Sequence, residues 1–214
     1  MAKVLPVDFE QPGTSSKAIE EIQSVLNSGG VIAFPSDTFY GLGADPFNPD
    51  ALSKIFEIKQ RPPDKPLLVL TDSVIEWETL VSELTGDTID LMEQFWPGPL
   101  TLIFKAAPGL PDALTAGTGT IGIRLPDHPF TSKLLEALEQ PLTAPSANIS
   151  GMEELTTAQQ VESVLGDKLD LIIDGGPTPG GKVSTILDTT TNPPTLIREG
   201  TLSRSDLESV LPIQ

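Results

Sequence analysis

The stretch KIFEIKQRPPDKP, residues 54–66, holds Lys54, Lys59, Arg61 and Lys65 within twelve positions, in a chain with only 13 Lys and Arg against 30 Asp and Glu. Positive charge gathered so locally in so acidic a chain suits an anion. A helix through ALSKIFEIK leaves Lys59 at its end, where the helix dipole alone accounts for a cation. Arg61 and Lys65 lie beyond that helix, in a loop stiffened by Pro62, Pro63 and Pro66. Rigidity there fixes the direction of the two cations, as an anion site requires. Glu57 and Asp64 offset part of the charge. The alternatives are a pocket and a solvated charge cluster, and the loop chemistry leans to the pocket.

Other polar groups follow apolar runs. In FPSDTFYGLGADP (34–46), Ser36, Asp37 and Thr38 sit at the end of the buried run VIAF, where open α/β sheets bind ligands. GLGADP has Pro46 where a third glycine belongs, so it is no dinucleotide fingerprint. In TIGIRLPDHP, strand alternation places Arg124 on one face with Gly122 and Thr120, opposite Ile121 and Ile123. Arg124 is either a fork for a carboxylate or phosphate, or an exposed edge residue. TAPSANISG offers Ser146, Asn148 and Ser150; GGKVSTILD offers Ser184 and Thr185; LIREG places Arg198 in a strand. Together these hydroxyls, one amide and several cations can hold a nucleotide and a small zwitterion. His128, the only histidine, stands between Asp127 and Pro129 and reads as a surface or helix-capping residue. No Ser-His or Cys-His nucleophile and no G-x-S-x-G is available. One His and no Cys argue against a dedicated zinc site.

The composition narrows the classes. With 214 residues the chain suits one core, and Pro and Gly are spread along it with no linker, repeat or low-complexity tract. Absence of Cys excludes disulfides and thiolate chemistry. The start, MAKVLPVDFEQPG, is no secretory signal, and no run reaches the ~18 apolar residues of a membrane span. A cytoplasmic protein is expected. At a formal net charge of -17 most of the surface repels a polyanion, which argues against extensive direct RNA binding.

Helices are expected at 15–28, ended by Gly29-Gly30, at 49–59 after the Asn48-Pro49 start, at about 73–84 and 87–95, at 130–139, at 156–166, and at the terminus after Ser203 or Ser205. Strands are expected at 31–34, 67–70, 100–105, 120–125, 141–144, 169–174, 184–188 and 195–199. Interleaving of the two kinds gives an α/β class. The last two strands are joined too briefly for a parallel crossover, so a mixed sheet is expected.

Seven stretches in order, GGVIAFPSDTFYGLGADP, IFEIKQRPPDKPL, FWPGPLTLIF, IGIRLPDHP, PLTAPSANISG, DGGPTPGGKVSTILD and LIREGTL, resemble the YrdC/TsaC family of threonylcarbamoyl-AMP synthases over about residues 15–203. The resemblance implies a single YrdC-like α/β domain over 1–214, with a twisted mixed parallel/antiparallel sheet flanked by helices around an open cleft. It implies the short form without an extra C-terminal domain. The implied reaction turns L-threonine, bicarbonate and ATP into threonylcarbamoyl-AMP and pyrophosphate. A downstream complex then passes the threonylcarbamoyl group to tRNA. The implied ATP contacts are Lys59, Arg61 and Lys65 of the KxRPxxxPL motif, with Thr120, Ser146, Asn148 and Arg198. The implied threonine contacts are Thr38, Thr71, Arg124, Ala144 through its backbone, and Ser184. The resemblance also implies ATP as a substrate, accompanied by magnesium.

Two departures stand out. Ser36 replaces a common Thr and keeps the hydroxyl. Glu153, Glu154 and Leu155 occupy positions where members have small hydroxyl residues, often Ser-Pro-Thr. The family's nucleotide contact falls at Glu154, whose carboxylate repels phosphate unless it points away. Glu154 is therefore left out of the expected site. No protein nucleophile is expected, and no general base is evident. Catalysis by positioning and charge neutralisation is implied. The competing readings are a paralogous branch that departs in the KxRP and SAN motifs, both kept here, a non-catalytic nucleotide- or RNA-binding protein, and a scaffold that holds nucleotide without turnover.

Overall fold

Local chemistry sets the element boundaries. The Asn48 side chain accepts from the amides of Asp50 and Ala51, and Pro49 occupies the first turn, where its missing N–H costs nothing. The helix that follows runs from Pro49 to Lys59 and ends at Gln60 in the left-handed conformation. The first helix ends at Gly29, whose φ of 74° lies where glycine is favoured. His128 caps the helix Pro129–Leu138, its ring accepting from the Thr131 amide, one of the two roles expected of it. Ser203, not Ser205, caps the terminal one.

The structure is a computed structural model and describes residues 1–10, 14–62, 65–72, 77 and 79–214. In chain order the elements are β1 (Lys3–Pro6), α1 (Thr14–Asn27), β2 (Ile32–Phe34), β3 (Gly41–Gly43), α2 (Pro49–Lys59), β4 (Leu68–Leu70), α3 (Gly86–Phe95), β5 (Leu100–Lys105) and α4 (Asp112–Thr115). They continue with β6 (Thr120–Arg124), α5 (Pro129–Leu138), β7 (Leu142–Thr143), α6 (Ala158–Leu165), β8 (Leu171–Asp174), β9 (Thr185–Asp188), β10 (Thr195–Arg198) and α7 (Arg204–Glu208).

Both pairing senses occur, as expected, but the strands divide into two mixed sheets. One has the order β1-β8-β2-β3 and the other β10-β9-β5-β6-β4-β7. In the first, β2 runs parallel to β8 and antiparallel to β3. In the second, β5 runs parallel to β9 and antiparallel to β6. The brief C-terminal connection gives the antiparallel pair β9–β10. The sheets share apolar neighbours: Ala33 and Leu42 of one lie in the same buried cluster as Leu102, Phe104 and Ile123 of the other. A second cluster packs α1 and α5, through Leu26 and Leu135, against Phe34 and Ile173.

Four elements differ from expectation, the first being the short helix α4, for which no helix was expected. Strand β1, in the N-terminal stretch read only for signals, pairs parallel with β8. Strand β3 is Gly-Leu-Gly, a sequence with little strand preference. Its glycines answer a close approach, because a Cβ on Gly43 would stand 2.9 Å from Ile32 Cγ1. The expected helix at 73–84 falls partly on 73–76 and 78, outside the described residues. From Trp77 the chain makes one turn, with the Leu80 and Val81 amides on the Trp77 carbonyl, and Val81 then bridges Ala106. The helix therefore does not reach residue 84.

The sheets meet at a seam. The Leu42 amide donates to Pro145 (2.8 Å), the Thr143 amide to Ala44 (3.1 Å) and the Ala147 amide to Tyr40 (2.6 Å). Fully buried Thr143 adds a hydroxyl that donates to the Leu42 carbonyl (3.0 Å) and accepts from the Ala44 amide (2.9 Å). Thr143→Val keeps the shape and leaves both backbone groups buried without a partner. It should lower the unfolding free energy by about 1–3 kcal/mol in urea titration.

Candidate functional site

Between the sheets lies a cavity of about 400 Å³, within the range of small-molecule sites. Its floor is one face of the six-stranded sheet, read at period two. Thr101 and Ile103 come from β5, Thr120, Gly122 and Arg124 from β6, Ser184 and Ile186 from beside and within β9, and Leu68 from β4. The opposite wall comes from Ser36, Thr38 and the 144–146 segment. Arg61 and Lys65 reach it from the loop after α2, and Arg198 from β10. An adjoining cavity of about 630 Å³ shares Arg61, Lys65, Ser146, Glu154 and Arg198 and adds Lys59 and Asn148. Thus eleven of the twelve expected residues line one space or the other. Thr71 does not: it is fully buried at the end of β4, its amide on the Arg124 carbonyl (3.3 Å).

The opening cluster proves to have two kinds of cation. Lys54, on α2, donates to the Gly29 carbonyl at 2.7 Å, away from these cavities. Lys59 is 2% exposed and is the last residue of α2. Its ammonium donates to the Ser146 carbonyl, the Asn148 carbonyl (3.0 Å) and Asn148 Oδ1 (2.9 Å). Three donors meet three acceptors, so Lys59 ties the SAN loop to the helix. The loop reciprocates: the Ser150 amide donates to the Lys59 carbonyl (2.8 Å). Asn148 is spent on the same purpose, accepting from the Ser146 hydroxyl (2.8 Å) and donating to the Met152 carbonyl (2.6 Å). Arg61 and Lys65 belong to the cavity wall. Arg61 anchors one amino group on the Pro66 carbonyl (2.9 Å), and Lys65 is exposed. Asp64 lies outside the described residues.

Arg124 is not an exposed edge residue. It is 3% exposed and forms an ion pair with Asp37, 9% exposed, through Nη1 and Nη2 at 3.2 Å each. Its Nε is buried without a partner among the described residues. Burial pulls the guanidinium below its ordinary value and Asp37 opposes that pull. Asp37 therefore holds the fork, while Nε stays buried and unspent. Arg198 spends Nε and Nη2 on the Ser184 carbonyl (3.1 and 2.8 Å), and Ser184 Oγ lies 3.0 Å from Thr101 Oγ1. These contacts draw the loop before β9 onto β10. Gly200 permits it, since a Cβ there would stand 2.2 Å from the Val183 carbonyl oxygen. Thr38 is held by its carbonyl, which accepts from Gly180 (2.8 Å), and Ser36 turns inward to Phe39 (2.7 Å).

Glu154 does not point away. It lines both cavities and its charge reaches Lys59 and Arg198, raising the proton affinity of each. Sequence reasoning also missed the apolar part of the wall, Leu67, Ile103, Ile186 and Ile197. Period-two alternation from Arg124's strand onto its neighbours would have found Ile103 and Ile186.

Fold and site define an α/β protein of two mixed sheets with a cation-lined cleft. The sequence profile of the Sua5/YciO/YrdC family, described as "Telomere recombination", matches residues 24–200. The chain belongs to that family. A Pyrococcus abyssi threonylcarbamoyl-AMP synthase is 41% identical over 186 residues, which is 87% of this chain and 55% of that protein. The chain thus spans little more than half the length of that relative. A Vibrio campbellii threonylcarbamoyl-AMP synthase is 35% identical over 86% of this chain and 100% of its own. The crystal structure of Pyrococcus abyssi Sua5 complexed with L-threonine superposes with a TM-score of 0.89 at 36% identity, covering 100% of this chain and 62% of that one. Among the described residues no helix is long and apolar enough to cross a membrane.

Two predictions follow from the buried charges. Asp37→Asn leaves Arg124 uncompensated and should cost about 3–5 kcal/mol of stability in urea unfolding. Burial, helped by Arg61 and opposed by Glu154, pushes Lys59 down from 10.5 to about 8. Between these values the unfolded chain holds the proton more tightly than the folded one. The Lys59 contribution is largest above pH 10.5 and is lost as pH falls through about 8. Across pH 7.5 to 10.5, roughly that window, the stability of wild type relative to Lys59→Met should rise with pH.

Proposed function

We propose that the chain is an L-threonylcarbamoyladenylate synthase, a nucleotidyltransferase supplying tRNA threonylcarbamoyladenosine modification. The observation that carries this reading is the cavity between the sheets. Its lining carries Arg61, Lys65 and Arg198 and, with them, the Asp37-held Arg124, Thr38 and Ser184. A polyphosphate fits the first group and a carboxylate-bearing amino acid the second. The relatives named threonylcarbamoyl-AMP synthase, and the relative complexed with L-threonine, support the assignment.

In this reading the threonine amine attacks the bicarbonate carbon, a C–N bond forms, and water leaves. The carbamate oxygen then attacks the α-phosphorus of ATP. The bond to the bridging oxygen breaks and pyrophosphate departs. The chain supplies no nucleophile. Arg124, oriented by Asp37, holds the threonine carboxylate, while Ser184 and the Ala144 backbone fix its hydroxyl end. Thr120 and Ser146 contact the nucleotide, and Lys59 with Asn148 shapes the loop that carries Ser146. Arg61, Lys65 and Arg198 offset the phosphate charge as it shifts toward the leaving group. ATP enters with magnesium on its phosphates. Thr71 acts from below, through the backbone of Arg124. Interleaved core side chains from both sheets support one unit over residues 1–214. In this reading the product passes to a tRNA-modifying complex and the work is cytoplasmic.

The test is pyrophosphate release from purified protein with ATP, magnesium and bicarbonate, with and without L-threonine. Release should require threonine. ATP binding without threonine-dependent pyrophosphate would leave a nucleotide-binding protein and remove the synthase reading. Arg61→Ala should raise KM for ATP about 10–100-fold, the worth of one charge-assisted contact, with an unchanged circular dichroism spectrum. An unaltered KM would take Arg61 out of the site.

A further inference from the structure

The cation-lined cavity contains a carboxylate that the sequence pattern does not call for. Glu154 stands on the wall of the main cavity with Arg61 and Arg198, and on the wall of the adjoining one with Lys59 and Lys65. It is half-buried. The backbone on either side is anchored. Before it, the Met152 carbonyl accepts from Asn148 Nδ2 (2.6 Å); after it, buried Leu155 accepts at its carbonyl from the Tyr40 amide (2.9 Å). Residue 154 is thus pinned between the Lys59-tied loop and the seam joining the sheets. A swing of the backbone out of the cavity would break one of these ties.

Glu154 does not neutralise a cation by contact. Among the described residues the ion pairs within 4.0 Å do not include it. Its field nevertheless reaches Lys59 and Arg198 across the open space. An anionic group entering that space meets the cations and the carboxylate together. In a partly desolvated cleft, a fixed like charge weakens phosphate binding far more than it would in water.

We propose that Glu154 is a fixed counter-charge inside the anion cavity, weakening its hold on free polyphosphate so that pyrophosphate leaves readily. The proposal rests on the nucleotide-binding reading above and adds a residue that sets product release. Without such a counter-charge, Arg61, Lys65 and Arg198 would grip the released pyrophosphate about as firmly as the triphosphate it came from. The bound nucleotide suffers less, because its base and ribose have further contacts on the apolar wall.

Calorimetric titration of pyrophosphate and of ATP in magnesium-free buffer separates the possibilities, with wild type, Glu154→Gln and Glu136→Gln. Glu136 is exposed on α5 and controls for net charge. Glu154→Gln should bind pyrophosphate about tenfold more tightly, with a smaller gain for ATP, and Glu136→Gln should match wild type. Equal affinity in wild type and Glu154→Gln overturns the proposal and leaves the nucleotide-binding reading standing. An equal gain in both variants overturns it too, by showing an effect of overall charge. A loss of ATP affinity in Glu154→Gln that appears only when magnesium is added would make Glu154 a metal ligand instead. If none of the three proteins binds ATP or pyrophosphate, the nucleotide-binding reading falls and this proposal with it.

Discussion

A buried ammonium holds the site together. Lys59 has three N–H donors and three oxygen acceptors around it, two of them backbone carbonyls of the SAN loop. An ammonium removed from water is costly unless each donor is met. The loop therefore has little choice but to close around the end of α2. Once closed, it places Ser146 on the cavity wall and leads the chain into the seam with β3. The seam then joins two sheets that share no continuous hydrogen-bonded ladder. One satisfied cation thus links the helix that launches Arg61 and Lys65 to the strand ends that carry Thr38 and Ala144.

Charge is distributed with economy. The chain carries a formal net charge of -17, yet the walls of one cleft present several cations. Each has a different occupation. Lys59 is structural, Arg198 draws the loop before β9 onto β10, and Arg124 is steered by Asp37. Against that acidic total, Lys59, Arg61, Lys65 and Arg198 gather around adjoining cavities. Two carboxylates inside the site, Asp37 and Glu154, moderate the positive potential. The first does so by contact and the second across open space.

Much of this was readable from sequence, for physical reasons. Strand β5 was placed at its observed residues because LTLIFK is apolar and bounded by prolines. The Asn48-Pro49 start of α2 and the capping role of His128 follow from turn chemistry alone. Alternation put Thr120, Gly122 and Arg124 on one face, and that face is the cavity floor. The family resemblance named the residues that gather there. What stayed hidden depends on partners distant in the chain. Asp37 lies 87 positions from Arg124, and nothing local marks the pair. Lys59 looked like a dipole-capping cation because its acceptors are 87 and 89 residues away. Strand β3 is written in glycines, whose value is the close approach of Ile32 and Phe34 rather than strand preference. The division into two sheets is likewise a matter of tertiary pairing.

The account stands on one cleft bringing a polyphosphate and an amino acid together so that a carbon from bicarbonate joins them. The most direct measurement is the mass of the nucleotide product formed from ATP, L-threonine and carbon-13 bicarbonate. The account predicts an adenylate with the mass of threonylcarbamoyl-AMP, shifted by one unit by the label. AMP or ADP alone, or a threonine-bearing adenylate without the label, would contradict it.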